Sequence, residues 1–345
     1  VALFAASQYF SPIILRDIIE SPQVYGATAD YVHWRTYGIF FSFLCVMFRA
    51  YYVGITQTKI LTVNSIVMLL SNVALNYCLI FGKGGFPAAG IAGAAIASSV
   101  SEAVSLLFFI IYTSMTADKR KYGFRRAFTL RPHLLKGMLS ISGWTMVQSF
   151  ISVSIWFIFF LAIEHLGERP LAVTNIVRNI SALLIMVISA FATTAGALIS
   201  NQIGAGEQRC LFKTCGMTLK LTYAILIPLL IILCLFPESV LRAFTDSPSL
   251  IAASVNSVYV MASSTLIMAP SFILFNAVSG TGNTRAGFIM EMISLAVYTA
   301  VIYYGIIRLK PDVALCWFSE HVYGVTLIFL AWWYLKSGKW RGKKV

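Results

Sequence analysis

Charge is what this sequence has least of: of 345 residues, 11% are Asp, Glu, Lys or Arg, and only 13 are acidic. A soluble domain carries about 25% charged residues. Too little charge is present to cover a water-facing surface, so a soluble fold is excluded. Histidine is also sparse. His33, His133, His165 and His321 stand apart from one another, and no carboxylates pair at catalytic spacing within the apolar runs. With no Ser/His/Asp set and no metal-ligand cluster, the sequence does not read as an enzyme or as a protein with a bound metal or cofactor. The six cysteines are scattered, and Cys210-x4-Cys215 lacks the His or Cys partners of a zinc site, so they read as small packing residues. A cleavable signal peptide is missing too. The chain opens on Val1 inside an apolar run, which reads as the start of a fragment.

What is abundant is hydrocarbon. Hydrophobic residues make up 59% of the chain, and the mean hydropathy is +0.81. Crossing a bilayer takes roughly 20 mostly apolar residues per helix. Such runs lie near Arg35–Thr56, Ile60–Phe81, Ile91–Tyr112, Met138–Ile163, Ala172–Ile199, Leu219–Phe236, Ala252–Ser279, Phe288–Ile307 and Val313–Leu335, with a shorter one at Val1–Leu15. Leu, Ile, Val and Phe are interleaved with Gly, Ala and Ser, as close helix packing in lipid requires. Runs this long fit helices far better than the ten-residue alternating strands of an outer-membrane barrel. The expected fold is an all-α polytopic membrane protein.

The net charge of +13 suggests a nucleic-acid partner until the basic residues are placed. Lys119, Arg120, Lys121, Arg125, Arg126, Arg131 and Lys136 lie between two spans; Arg209, Lys213 and Lys220 follow another; Lys336, Lys339, Arg341, Lys343 and Lys344 close the chain. Loops of the other set carry Asp17, Glu20, Asp30, Glu164, Glu168, Glu238, Asp246 and Asp312. The positive-inside rule makes the basic loops and the C-terminus cytoplasmic. The chain is expected to be multi-pass in a bacterial cytoplasmic membrane, a monomer in contact with lipid and small organic molecules rather than nucleic acid.

The sequence also repeats. A shift of 226 positions brings Leu15-Arg16 onto Leu241-Arg242, Glu20-Ser21-Pro22 onto Asp246-Ser247-Pro248, and Tyr77 onto Tyr303; after a shorter loop a shift of 218 brings Ser101-Glu102 onto Ser319-Glu320. The glycine-rich stretch Gly280-Thr-Gly-Asn-Thr-Arg285 has its partner in Gly54-Ile-Thr-Gln-Thr-Lys59. Neither copy follows a strand or completes a phosphate-binding spacing. Both read as inter-helix turns, in which Gly permits positive φ and Asn or Thr caps the next helix. Six spans per copy make two parallel repeats, an architecture of secondary transporters. The arithmetic predicts roughly 90 residues upstream of Val1, holding two spans and part of a third. The expected division is a truncated N-lobe (1–117, helices 3–6), a basic cytoplasmic linker (118–137), a C-lobe (138–336, helices 7–12) and a basic cytoplasmic tail (337–345).

Asn72-Val-Ala-Leu-Asn76, the stretch from Gly85-Phe-Pro to Ser98, the paired Gly-x-x-x-Thr-Lys/Arg turns and Ser200-Asn-Gln-Ile-Gly-Ala-Gly206 together resemble the multidrug and toxic compound extrusion (MATE) transporters. The resemblance runs over essentially the whole chain, about 12 helices when complete. It implies two six-helix lobes around a central cavity and ion-driven export of amphipathic, often cationic, compounds. In some members the N-lobe binds a cation through a first-helix aspartate, an Asn-x-x-x-Asp pair on the fifth helix and a hydroxyl on the sixth. Asn72 matches the Asn, Asn76 stands in place of the Asp, and Ser98 matches the hydroxyl; the first helix lies outside the sequence. Another branch carries a seventh-helix glutamate, where this chain offers only Thr145, Gln148, Ser149, Ser152 and Ser154.

Ionisable residues within spans are costly and point to function. Arg49, Glu102, Arg178, Glu291 and Glu320 stand out. One reading pairs them for packing, Arg49 with Glu102 and Arg178 with Glu291. The other has an acid couple Na+ or H+ movement while the arginines line the cavity. Glu102 and Glu320 are repeat-equivalent, which suits architecture; Glu291 faces Ser65 in the repeat, and that asymmetry suits function. Gln148, Asn175, Asn179 and Asn276 are further polar candidates, for packing or for the cavity. Pro270 should kink its helix and act as a hinge or be tolerated in packing. The expected function is secondary antiport of amphipathic or cationic organic compounds against Na+ or H+. A lipid-linked oligosaccharide flippase of the same superfamily is the alternative, a channel a third reading.

Overall fold

A computed structural model of the chain describes residues 2–18, 22–116, 132–338 and 340. Most of the basic linker and tail therefore lies outside the described residues; of the linker's cations only Lys136 falls on a described helix. The helices are α1 (Ala2–Ile18), α2 (Pro22–Gly54), α3 (Lys59–Phe81), α4 (Gly90–Thr116), α5 (Pro132–Glu164), α6 (Glu168–Gly204), α7 (Leu211–Leu235), the short α8 (Pro237–Leu241), α9 (Pro248–Gly280), α10 (Thr284–Val301), the short α11 (Val313–Cys316) and α12 (Phe318–Ser337). A π-helical segment, Ile302–Arg308, prolongs α10. Among the described residues there is no strand, and nine helices are long and apolar enough to cross a membrane. The protein is multi-pass and all-α.

The helix ends reproduce the repeat. α2 runs from 22 to 54 and α9 from 248 to 280, a difference of 226 at both ends. The turns that follow also match in backbone. Gly282 takes φ 79°, and its counterpart Thr56 takes φ 59°, an uncommon conformation for a β-branched residue. Asn283 caps α10, its side chain accepting from the Ala286 amide at 3.3 Å. The glycine-rich stretch is an inter-helix turn, as its position between spans indicates.

The chain divides into two units, Val1–Thr129 and Leu130–Val345. In the first, α4 packs along both α2 and α3, and α1 lies on α2. Cys45, Tyr52, Ile60, Leu106 and Phe109 form its core. Small residues set the spacing: a Cβ on Gly93 of α4 would sit 2.5 Å from the Leu79 carbonyl oxygen of α3. In the second unit α9 packs along α6, α12 and α7, and α10 fits between α5 and α12. Gly280 of α9 packs directly against Gly196 of α6, where a Cβ on Gly280 would come 2.5 Å from a backbone oxygen.

Pro270 does not interrupt α9. Proline removes the amide that would bond the Leu266 carbonyl four residues earlier. The Tyr223 hydroxyl of α7 donates to that carbonyl at 2.7 Å instead. The carbonyl that Pro270 leaves without its helical donor is thus satisfied from a neighbouring helix.

Candidate functional site

Each unit holds a polar cavity. In the first, α2, α3 and α4 line a cavity of about 390 Å³ with Arg35, Arg49, Ser65, Asn72, Ser98 and Glu102. The three cation-site candidates come together. Asn72 and Asn76 lie one turn apart on α3, and Asn76 Nδ2 donates to Asn72 Oδ1 at 2.9 Å. Asn72 Nδ2 reaches Ser101 Oγ at 3.2 Å and Ser98 Oγ at 3.5 Å. Asn76 Oδ1 is buried without a partner, so one acceptor of the amide network stays open. Beneath it, Asn64 is fully buried and exchanges hydrogen bonds with Ser105.

The carboxylate of this cavity is neutralised, though not by the expected partner. Arg35, rather than Arg49, grips Glu102 through two bonds, Nη1 to Oε2 at 3.0 Å and Nη2 to Oε1 at 2.6 Å. Arg49 lines the same cavity with an exposed side chain. The apolar run of α2 reads as starting at Arg35, because Asp30, His33 and Arg35 interrupt it, but the helix begins at Pro22. Two of those interruptions are satisfied inside the unit: His33 Nδ1 meets Gln8 Oε1 at 2.9 Å, and Arg35 meets Glu102.

The second unit treats its acids differently. A cavity of about 230 Å³ is bounded by α5, α6, α9, α10 and α12, with Ser152, Trp156, Glu291, Tyr298, Glu320 and Tyr323 among its walls. Glu291 is only 4% exposed. Its Oε1 accepts from Ser152 Oγ of α5 at 2.9 Å and from the Tyr323 hydroxyl of α12 at 2.8 Å. Its Oε2 is buried with no partner. Glu320 of α12 accepts from the Tyr298 hydroxyl of α10 at 2.8 Å. The expected Arg178–Glu291 pair does not form. Arg178 holds its guanidinium 5.2 Å from the Phe160 ring centroid, with Nε buried and unpartnered. The half-buried guanidinium gains about 1 kcal/mol from that aromatic face. Among the described residues Arg35–Glu102 is the one ion pair.

The remaining candidates stand outside this cavity's walls. Asn276 turns onto its own helix, donating to the Phe272 carbonyl at 2.9 Å. Gln148 gives its backbone carbonyl to Ser152. Asn175 is half-buried and Asn179 exposed on α6. Sequence reasoning did not single out Arg35, Tyr298 or Tyr323, and named Ser152 only as a seventh-helix hydroxyl. The available signal was spacing: Glu291 and Tyr298 are seven apart on α10, Glu320 and Tyr323 three apart on α12, so each pair shares a helix face.

Residues 145–304 match the MatE family profile. The chain is 25% identical over 268 residues to the uncharacterized transporter YisQ of Bacillus subtilis, covering 74% of this chain and 56% of YisQ. It is also 25% identical over 291 residues to a probable multidrug resistance protein NorM of Thermotoga maritima, covering 79% of this chain and 59% of that protein. The chain thus spans less than two thirds of the length of these relatives. Among solved structures, a MOP superfamily transporter from Pyrococcus furiosus superposes with a TM-score of 0.85 at 15% identity, over 97% of this chain and 76% of that one. An outward-facing multidrug resistance MATE family transporter superposes equally well, with a TM-score of 0.85 and 15% identity over 97% and 75% of the two chains.

Proposed function

We propose that this chain, whose residues 145–304 match the MatE family profile and which is similar to probable multidrug resistance proteins, is a MATE-type secondary active exporter. In this reading amphipathic, cationic organic compounds leave the cell in exchange for Na+ or H+ by alternating access. The single observation that carries the coupling is Glu291, 4% exposed within a span and paired with no cation. A carboxylate held in that setting is costly unless a positive charge joins it for part of the cycle. An ion that comes and goes supplies that charge. The relatives described as probable multidrug resistance proteins support the substrate class. The chain's basic loops support a cytoplasmic C-terminus in a bacterial inner membrane.

A flippase for pyrophosphate-linked sugars needs a strongly cationic cavity. Here the second unit's cavity is walled by two glutamates, and Arg35 in the first unit is committed to Glu102. The acidic walls favour cationic cargo. The test is export of ethidium from cells stripped of their own efflux pumps and expressing this protein. Export that stops when the sodium and proton gradients are both collapsed supports the reading; gradient-independent flux supports a channel and refutes it.

A further inference from the structure

The second unit gathers its cations at one end. Its spans alternate in direction, so the start of α5, the α6–α7 turn, the start of α10 and the close of α12 share that end. Among the described residues it carries Lys136, Arg209, Lys213, Arg285 and Lys336 against Glu207 alone. At the opposite end acids and cations are nearly matched, and Asp312 follows four residues after Arg308. Among the described residues none of these cations takes part in an ion pair.

Arg285, in the first turn of α10, is held in a particular way. Its side chain is exposed, and its guanidinium carbon lies 5.8 Å from the ring centroid of Trp144 on α5. Trp144 in turn meets Phe288 of α10 with ring centroids 5.1 Å apart, so the two rings close the seam between these helices. The donors of a guanidinium lie in its own plane. An indole under its face consumes none of them, and among the described residues no carboxylate takes them either. Indole rings collect at the headgroup level of a bilayer. From Arg285 toward the middle of the span, Ile289 and Ile293 follow at successive four-residue steps with exposed side chains. That stripe is about 12 Å long, close to the roughly 15 Å of hydrocarbon in one leaflet. α12 repeats the pattern at the same end: Lys336 Nζ lies 4.5 Å from the Trp332 ring centroid, and Phe329 and Val325 are exposed along the same helix.

We propose that Arg285 and Trp144 form a binding site for an anionic phospholipid of the leaflet at this end. The phosphate takes two parallel N–H bonds from the open edge of the guanidinium. The glycerol rests against Trp144, and an acyl chain covers Ile289 and Ile293. A free phosphate would satisfy the arginine and leave the apolar stripe bare, whereas a lipid answers both. A zwitterionic headgroup fits less well, because its ammonium meets the same uncompensated cations that attract an anionic one. Seated there, the lipid braces the seam between α5 and α10, the helices that carry Ser152 and Glu291. The site goes beyond the proposed export; only the choice of the cytoplasmic leaflet rests on that reading, through the basic loops.

The test uses the purified chain in nanodiscs of phosphatidylcholine and phosphatidylglycerol, with no gradient and no substrate, and with bromine on the phosphatidylglycerol acyl chains alone. Bromine quenches nearby indoles, and the part of the quenching lost in Trp144→Phe reports the lipid at this site. Phosphatidylglycerol should be enriched there about fivefold over its share of the bilayer. The enrichment should survive about 0.5 M NaCl, which screens diffuse attraction to a charged surface. Arg285→Gln should reduce it to the bulk share, while Arg308→Gln, which removes the cation over Tyr303 at the opposite end, should leave it unchanged. Arg285→Lys keeps the charge without the planar fork, so its enrichment should appear at low salt and vanish at high salt; it serves if Arg285→Gln fails to fold. Enrichment absent from the wild type, or equal in the wild type and both Arg285 variants, overturns the proposal. Displacement of the lipid by inorganic phosphate would make this a free-anion site and overturns it too. A protein that enriches the lipid but exports no ethidium keeps the site and loses the proposed function.

Discussion

Replacing Gly38 by alanine tests what holds the first unit's helices together, because the reasoning predicts a sign opposite to the usual one. Gly38 lies inside α2. Alanine at an interior helix position ordinarily gains roughly 0.5–1 kcal/mol over glycine. Here the added Cβ would fall on the ion pair, touching Arg35 Nη1 and lying 2.6 Å from Glu102 Oε2. Both atoms end flexible side chains, so the clash is relieved easily, but only by parting the bridge. Exposed pairs contribute about 0–1 kcal/mol, while breaking a buried pair costs roughly 3–5 kcal/mol. With side-chain exposures of 36% for Arg35 and 10% for Glu102, the bridge belongs between those limits, near ~2 kcal/mol once the half-open arginine is discounted. Gly38→Ala should therefore be destabilising by about 1 kcal/mol net. Reversible unfolding in mixed micelles with increasing SDS reads it. The same substitution made in a Glu102→Ala background, where no bridge remains to be parted, should recover the ordinary gain, and the cycle isolates the coupling. Stabilisation by Gly38→Ala in the native background, or equal effects in both, would refute the assignment.

Four further outcomes follow from the same geometry. Thr56→Gly should stabilise by ~1 kcal/mol in SDS unfolding, because Thr56 holds φ 59° where the repeat has glycine. Gly280→Ala should lower the unfolding free energy by about 1–3 kcal/mol, since its Cβ meets a backbone oxygen that cannot swing aside. Tyr223→Phe should cost roughly 1–3 kcal/mol by orphaning the Leu266 carbonyl; Pro270→Ala added to it should recover part of the loss, because an amide then returns to that carbonyl. In cells, Glu291→Gln should abolish ethidium export while Arg49→Gln, exposed and outside the ion pair, should change it less than twofold, which dye-efflux rates at matched expression would decide.

Much of this architecture is legible in one sequence because lipid imposes so few solutions. An apolar run of span length has to be a helix, and the nine runs marked in the sequence correspond to nine helices. The duplication is legible because turns need special backbone: Gly282 and Thr56 occupy the same φ region although their side chains differ. Partner choice among buried charges is less legible. Arg49 and Glu102 both lie within apolar stretches of the first unit and invite pairing, but Arg35, about four turns earlier on α2, is the residue whose guanidinium meets Glu102. Hydropathy puts Arg35 at a span edge because its neighbours Asp30 and His33 are polar; only tertiary contact shows that His33 is satisfied by Gln8 and that the helix continues. Tyr298 and Tyr323 were hidden for another reason. Tyrosines are common at membrane interfaces, so their spacing from the glutamates gains meaning only once each hydroxyl is found 2.8 Å from a buried acid.

The duplication itself explains how such a site could arise without dismantling the fold. One set of helices closes around a cavity twice, and the positions that face it are fixed by helix spacing in both copies. In the first, the position of Glu291 is Ser65 and the position of Tyr298 is Asn72, while Glu102 is balanced by Arg35. The counterpart of Arg35, at 35 + 226 = 261, is Met261, fully buried in the second unit's core. With no arginine at that position, Glu320 lacks the partner that Glu102 has, and Tyr298 supplies a hydrogen bond in its place. A hydroxyl satisfies a lone pair but does not cancel a charge. Restoring the arginine is therefore the decisive comparison: Met261→Arg, folded in place, should tie up Glu320 as Arg35 ties up Glu102 and change the gradient dependence of ethidium export. Export whose gradient dependence persists unchanged with Met261→Arg folded in place would mean that Glu320 takes no part, and that Glu291 alone carries the coupling.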